Sequence, residues 1–123
     1  RTIPIKYLTP TDTPRDDAME FYSILDSYTF SILPKPQVWL CKKELLVSDG
    51  NNYVTFLAYK KAKEVKVELR REIEEPVFSS WLDETKADAK ILKLLGVKSF
   101  YDLVPLVDWN RIENISRQNL RFG

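Results

Sequence analysis

The chain has 123 residues, which is the usual size of one domain. Its 19 Lys and Arg against 18 Asp and Glu leave a net charge of +1, so it lacks the basic excess that is typical of nucleic-acid-binding domains. An apolar fraction of 44% excludes wholesale disorder, and no run of residues approaches the ~18 apolar positions of a membrane span.

Several residue types are scarce or absent, and this excludes whole classes of chemistry. The chain has no histidine, so catalysis by an imidazole base is excluded. The single cysteine, Cys41, rules out an internal disulfide and zinc sites built from His and Cys clusters. Three glycines are too few for a P-loop or a dinucleotide-binding motif. We therefore expect an intracellular protein, cytoplasmic or nuclear, that uses no small-molecule cofactor and no membrane.

The N-terminal part is predicted to be an extended arm followed by a helix. Residues 1–13 contain prolines, which disfavour helix in the residues before them, so this arm lies either along another protein or across its own sheet. Residues 14–123 are predicted to form one domain, cut from a longer chain. An amphipathic helix is predicted over 14–28, with Thr13 as its N-cap and Pro14 at its first position.

The middle of the chain is predicted to form strands. The segment "QVWLCKKELLV" at 37–47 is a strand candidate that places Cys41 inside the protein as a small apolar residue. The segment "SDGNN" at 48–52 predicts a hairpin turn, because Asp, Gly and Asn tolerate positive φ. Drawn as a strand, the segment "YVTFLAY" at 53–59 has apolar residues on both faces. This pattern predicts a central strand that is covered on both sides.

Residues 60–75 fit two structures. Val65, Val67 and Leu69 alternate with charged residues, which is the period of a half-buried strand. The same segment is rich in Lys, Glu and Arg and carries an apolar helical face, which favours a helix. A strand is preferred because the preceding strand needs a partner. Pro76 ends the segment in either case.

The C-terminal part is predicted to be helical. Ser79 or Ser80 is expected to cap the start of one helix, which continues through Leu95 and has Gly96 as its left-handed cap. Apolar groups surround most of its last turn, so this end is expected to be deeply buried. The apolar residues of this turn are Ile91, Leu92, Leu94 and Leu95.

Two further caps are predicted after this helix. Ser99 and Asp102 have the spacing of a capping box, and Asp108 is expected to cap the final helix. The order of the elements predicts an α+β fold. A small antiparallel sheet of about three strands packs against an N-terminal helix and a C-terminal helical segment.

One basic stretch is a candidate nucleic-acid site. Over residues 60–71, six cations face only Glu64 and Glu68. A hairpin would hold the lysines at its tip within reach of phosphate, with an aromatic ring beside them to stack on bases, whereas a helix would pair the arginines with later glutamates. The predicted contact residues are Tyr59, Lys60, Lys61, Lys63, Lys66, Arg70 and Arg71.

A protein interface is nevertheless favoured over nucleic acid, because the net charge is small and no catalytic motif is present. Exposed large aromatic residues are typical of interfaces, and the candidates are Tyr7, Trp39, Trp81 and Trp109. We predict a non-catalytic protein–protein interaction domain that binds another protein or subunit of an assembly. Nucleic-acid binding is the alternative. A metal site or enzyme built on carboxylate pairs is the third possibility, and these pairs are Asp16–Asp17, Glu74–Glu75 and Asp83–Glu84.

Overall fold

A computed structural model describes the backbone of residues 1–72 and 79–122, and the side chains of residues 1–72 and 80–117. Helices and small sheets alternate along the chain, so the predicted α+β class is confirmed. Pro76 and the Glu74–Glu75 pair lie outside the described residues.

The elements occur in the following order. The first half contains β1 (Thr2–Pro4), a 3₁₀ helix (Ile5–Tyr7), β2 (Leu8–Thr9), α1 (Asp16–Ile24), α2 (Ser27–Ser31), β3 (Gln37–Cys41), β4 (Glu44–Asp49) and α3 (Asn51–Tyr59). The second half contains β5 (Glu64–Lys66), β6 (Glu68–Arg71), α4 (Ser79–Leu94), a second 3₁₀ helix (Phe100–Leu106) and α5 (Trp109–Phe122). Of these helices, none that the structure describes is both long and apolar enough to cross a membrane.

A mixed four-stranded sheet in the order β2-β4-β3-β6 organises the fold. The strands β3 and β4 are antiparallel, whereas β2 is parallel to β4 and β6 is parallel to β3. A separate antiparallel pair joins β1 to β5. The segment at residues 1–13 therefore lies across the protein's own strands, and it contributes Ile3, Ile5 and Leu8 to the core. The sheet is larger than the predicted three strands and is not purely antiparallel.

Helices cover both faces of the four-stranded sheet. Successive strand residues point to opposite faces, so Val38 and Trp39 enter different cores. On one face, Val38 and Val47 of the sheet pack against Val54 of α3 and against Phe100 and Leu103 of the second 3₁₀ helix. On the other face, Trp39, Cys41 and Leu46 pack against Leu82 and Ala89 of α4. A third cluster, formed by Met19, Phe56, Val107 and Ile112, joins α1, α3 and α5.

The single strand predicted over 37–47 is two strands. Cys41 pairs with Glu44, so the chain reverses in a two-residue turn at Lys42 and Lys43. Lys42 has a φ of 56°, which supplies the left-handed conformation that such a turn needs. Sequence reasoning missed the turn because neither of its residues is Gly, Asn or Asp, which two-residue turns usually contain.

The predicted hairpin turn at 48–52 and strand at 53–59 are wrong, because residues 51–59 form α3. Four of the five buried positions of α3, namely 51, 54, 55 and 58, are spaced as one face of a helix. Two of these positions are the polar residues Asn51 and Thr55, so a hydrophobicity pattern does not reveal the buried face. Hydrogen bonds allow both residues to be buried. The Asn51 side chain accepts from the Thr11 N–H at 2.9 Å and donates to the Thr11 Oγ1 at 3.0 Å and the Val47 carbonyl at 3.1 Å.

The predicted helix over 14–28 is broken into α1 and α2, and Thr13 is not its N-cap. The first helix begins at Asp16 and is preceded by Arg15. The break occurs at Asp26, whose carboxylate accepts a hydrogen bond from the Thr29 N–H at 2.7 Å and so caps α2. This hydrogen bond holds the pKa of the Asp26 carboxyl below its usual value.

The strand interpretation of residues 60–71 is confirmed for 64–66 and 68–71, whereas their predicted partner is wrong. Residues 53–59 are helical, so β5 pairs with β1 and β6 pairs with β3 instead. Val65 and Val67 are buried as their alternation predicts.

Ser79 and Ser80 lie inside α4, so the prediction that one of them caps its start is wrong, whereas the other cap predictions in the C-terminal part are confirmed. Gly96 has a φ of 92°, and the Val97 N–H donates to the Leu92 carbonyl at 3.0 Å, as expected for a Schellman cap. Asp102 accepts from the Ser99 N–H at 3.1 Å within a capping box, and Asp108 accepts from the Arg111 N–H.

The expected deep burial of the end of α4 is wrong. Leu92 is buried, but three neighbours are more than half exposed, namely Ile91, Leu94 and Leu95. The buried face of α4 instead follows Leu82, Thr85, Ala89 and Leu92, which form a single stripe against the sheet.

Candidate functional site

The lysines of the predicted basic tip lie in a helix-to-strand connection, not at the tip of a hairpin. Lys60 follows α3, and Lys61 and Lys63 complete the connection to β5. All three are exposed, and Lys61 has a φ of 63°. The Lys60 Nζ lies 5.6 Å from the centroid of the Phe56 ring and 5.7 Å from that of Tyr59.

The other predicted nucleic-acid contacts do not extend this group of lysines into one basic surface. Lys66 and Arg70 are exposed, but Glu64 and Glu68 alternate with them along the strands. The Arg70 guanidinium lies 5.9 Å from the centroid of the Trp39 ring, and Arg71 is half-buried.

Tyr59 is placed for packing more than for base stacking. Its ring stacks on Trp109 at a centroid distance of 3.6 Å and an interplanar angle of 3°, so one face is covered. Its hydroxyl donates to the Glu113 carboxylate, and this hydrogen bond raises the pKa of Tyr59 to about 12.

Two of the four predicted interface aromatics are exposed, and two pack into the interior. Tyr7 and Trp81 are exposed, at 60% and 42%. Trp39 is buried under Trp81, which meets it edge-to-face at 5.9 Å. Trp109 is half-buried and donates from its Nε1 to the Val104 carbonyl at 2.6 Å. Trp39 and Trp109 are therefore core residues, which leaves Tyr7 and Trp81 as candidates.

A larger apolar surface lies on α1 and α2, where sequence reasoning did not place a site. Four large apolar side chains are half or more exposed within residues 21–32, and we name them the α1–α2 surface. They are Phe21 (50%), Ile24 (50%), Tyr28 (74%) and Ile32 (63%). The break at Asp26 divides the amphipathic helix predicted over 14–28, so Phe21 in α1 and Tyr28 in α2 do not lie on one continuous helical face.

Two depressions lie beside this surface, and Tyr22 forms part of both. One has a volume of about 280 Å³, and its apolar lining includes Phe21, Leu33 and Tyr53. The other has a volume of about 330 Å³, and its lining includes Leu25, Phe30, Phe56 and Leu57. Sequence could have signalled this arrangement through the Asp26–Thr29 spacing, which is that of an N-cap and the residue three positions later.

A network of aromatic rings supports the walls of both depressions. Tyr22 meets Phe30 at 6.2 Å, Tyr53 at 6.0 Å and Phe56 at 5.5 Å between ring centroids. Phe30 also stacks on Tyr53 at 5.2 Å and 16°. Burial raises the pKa of the Tyr22 and Tyr53 hydroxyls, so both stay neutral at physiological pH. The aromatic rings therefore form an uncharged, mutually packed part of the walls.

The carboxylate pairs do not converge within the described part of the chain. Asp16 lies 3.9 Å from the Arg111 guanidinium, and Asp17 lies 3.5 Å from that of Arg15. Among the residues whose side chains are described, no group of three or more Cys, Asp and Glu is arranged to hold a metal ion.

No protein-family model, no curated protein and no solved structure matches this chain. Function is therefore inferred from the chemistry of its surfaces.

Proposed function

We propose that this protein is a non-catalytic, intracellular interaction domain and that the α1–α2 surface binds a partner protein. The observation that carries the proposal is the exposure of four large apolar side chains within residues 21–32, beside two apolar depressions. Soluble monomers seldom leave large apolar patches uncovered, and such patches mark interaction sites. An intracellular location is supported by the free, buried thiol of Cys41.

The depressions suit the way in which protein interfaces concentrate their binding energy. A few large side chains usually dominate an interface by filling well-packed pockets at its centre. Here Phe30 and Phe56 contribute to the apolar wall of one depression, and Phe21 and Tyr53 to that of the other. We expect the partner to insert one apolar side chain into each.

The aromatic network makes the surface ready to bind. Ring contacts fix Tyr22 and Phe30 before a partner arrives, so little conformational entropy is lost on association. Charged groups stand at the edges, with Lys35 and Asp49 beside one depression and Lys60 beside the other. A polar rim around an apolar centre is the usual composition of an interface, and its charges orient the partner.

Nucleic-acid binding through residues 60–71 is the alternative, and the exposure of Lys60, Lys61 and Lys63 in one connection favours it. Oligonucleotide anisotropy at about 50 and 200 mM salt tests it, because phosphate contacts weaken steeply over that range. Loss of binding in the triple variant Lys60→Ala/Lys61→Ala/Lys63→Ala would support the alternative.

Site-specific photo-crosslinking in extracts of the native cells tests the main proposal. A benzoylphenylalanine replaces Tyr28 in one protein and Tyr7 in a matched one, since both are exposed tyrosines. We expect position 28 to yield a discrete crosslinked partner, and Ile32→Ser in the same protein to remove it. Crosslinks that form only from position 7, or that survive Ile32→Ser, would place the interface elsewhere. A partner that proves to be a second copy of the chain would be recognised by sedimentation velocity.

A further inference from the structure

A chemically different cavity lies between α4 and the turn that joins β3 to β4. It has a volume of about 330 Å³ and is lined by Cys41, Lys42, Glu44, Lys86, Lys90 and Lys93. Four of these six residues are lysines, and none belongs to the α1–α2 surface or to the basic stretch at residues 60–71. This cavity holds the densest grouping of cations around any of the depressions described above.

Helical spacing brings three of the lysines to one side of the cavity. Lys86, Lys90 and Lys93 occupy positions i, i+4 and i+7 of α4, so they lie on the same flank of the helix. Glu84 and Asp88 lie on its other flank, where they line a separate polar depression with Trp81. Asp83 lies three positions before Lys86 and interacts with it electrostatically, so the lysine flank also carries one carboxylate.

The turn supplies the fourth lysine in an unfavourable backbone conformation. The pairing of Cys41 with Glu44 leaves only Lys42 and Lys43 to reverse the chain. Two-residue turns favour Asn and Gly, and a φ of 56° at Lys42 is uncommon for a residue with a Cβ. Local departures from the residues that a turn prefers are typical of functional sites, and this turn adds Lys42 to the lining of the cavity.

The cavity keeps an excess of positive charge after its internal ion pairs are counted. Lys93 contacts the Glu44 carboxylate, and the Lys86 Nζ donates to the Glu72 Oε1 at 2.6 Å. Lys42 and Lys90 form no ion pair with any residue whose side chain is described. Four lysines against Glu44, Glu72 and Asp83 give a local charge of +1.

Cys41 is an uncharged residue in the lining of the cavity. It is only 5% exposed, and burial, followed by the nearby Glu72 carboxylate, raises the pKa of its thiol. The thiol therefore stays protonated at neutral pH and does not compete with an incoming anion.

We propose that this cavity binds the phosphate group of a small phosphorylated ligand. A phosphate monoester carries between about −1.5 and −2 charges at pH 7, so the remaining positive charge of the cavity attracts it. Lysine binds phosphate as a compact, strongly charged donor, and Lys42 and Lys90 are the two lysines of the cavity with no ion-pair partner among the described side chains. The volume lies at the lower end of the range of about 300 to 1,000 Å³ for small-molecule sites, so the organic part of the ligand is small. The Cys41 side chain in the lining gives the organic part of the ligand an apolar contact.

Titration followed by amide NMR tests the proposal directly. The probes are inorganic phosphate, glycerol 3-phosphate and adenosine monophosphate, with sodium chloride at matched ionic strength as the blank. The test variant is Lys42→Gln/Lys90→Gln. The matched control is Lys6→Gln/Lys98→Gln, which makes the same change in net charge at two exposed positions outside the lining of the cavity. Thermal melting establishes that both proteins fold, and Lys90→Gln alone serves if the turn does not tolerate the double change.

We expect saturable shifts in the amides of residues 41–44 and 86–93, with tighter binding of a phosphate monoester than of inorganic phosphate. The test variant should bind about tenfold or more weakly, because charge-assisted hydrogen bonds to phosphate are lost, while the control changes by less than about twofold. Shifts that do not saturate, or equal weakening in both variants, would overturn the proposal. Saturation of the same amides by an oligonucleotide but by no monoester would replace the small ligand with a nucleic acid.

Discussion

The two glycines with positive φ provide a matched test of the packing around α3. Gly50 and Gly96 have φ values of 96° and 92°, so alanine is strained to a similar extent at both. Their surroundings differ. A Cβ on Gly50 would lie 2.9 Å from the Pro36 Cα and 3.0 Å from its Cβ, whereas a Cβ on Gly96 meets no atom within 4 Å. Gly50→Ala is therefore expected to destabilise the protein more than Gly96→Ala.

The expected difference in stability between the two variants follows from two free-energy costs, that of the left-handed backbone and that of overpacking. A left-handed residue with a Cβ costs about 1–2 kcal/mol, which applies to both variants. Overpacking adds a further ~1–3 kcal/mol at Gly50, because the backbone of Pro36 has to move. We expect a loss in the free energy of unfolding of about 1–2 kcal/mol for Gly96→Ala and of about 2–5 kcal/mol for Gly50→Ala.

Urea denaturation followed by circular dichroism measures both losses. With a denaturant dependence of about 1–3 kcal/mol per molar, the extra loss in Gly50→Ala lowers the midpoint by a further ~1 M. The slope should stay the same in all three proteins, because the surface exposed on unfolding is unchanged. Equal midpoints for the two variants would show that Pro36 does not pack against Gly50 and would refute the reasoning.

Three further outcomes are expected. Asn51→Ala should lower the free energy of unfolding by about 2–4 kcal/mol in urea titrations, because it leaves buried groups of Thr11 unpaired; a loss below ~0.5 kcal/mol would contradict the buried network. Tyr59→Phe should change the alkaline pH dependence of thermal melting. The hydrogen bond raises the pKa of Tyr59 from 10.0 to about 12, so its stabilisation is complete below pH 10 and is lost as the pH rises to 12. The wild type should therefore lose more stability than the variant over that range, and parallel curves would count against the bond. Asp102→Ala should cost about 1 kcal/mol by removing the capping box with Ser99, whereas an unchanged urea midpoint would show that the box contributes nothing.

Features set by neighbouring residues could be predicted from the sequence. The cap at Gly96 and the capping box at Ser99 each depend on a few residues in a row, and the structure confirms both. The strand at Val65 and Val67 was predicted from its alternation, although the partner assigned to it was wrong. Local chemistry specifies an element more readily than it specifies what the element packs against.

Features that depend on distant residues could not be predicted. Asn51 can be buried because its side chain forms hydrogen bonds with Thr11, 40 positions away in the sequence. No local sequence pattern indicates that an asparagine is buried. The α1–α2 surface was missed for a related reason, since Tyr28 repeats at a helical spacing that the cap at Asp26 interrupts. Leu94 is exposed because the opposite side of α4 packs against the sheet. Which side of a helix packs against a sheet depends on the tertiary structure and not on the local sequence.

The pairing of the first strands has a consequence for the order in which a newly synthesised chain can fold. Ile3 pairs with Val65, and Leu8 pairs with Leu45, so neither partner exists when the first residues leave the ribosome. At about 5–20 residues per second, the ribosome needs several seconds to add the residues between Ile3 and Val65. During that interval the apolar residues of the first segment lack their native neighbours and are open to chaperones or to unwanted strand pairing.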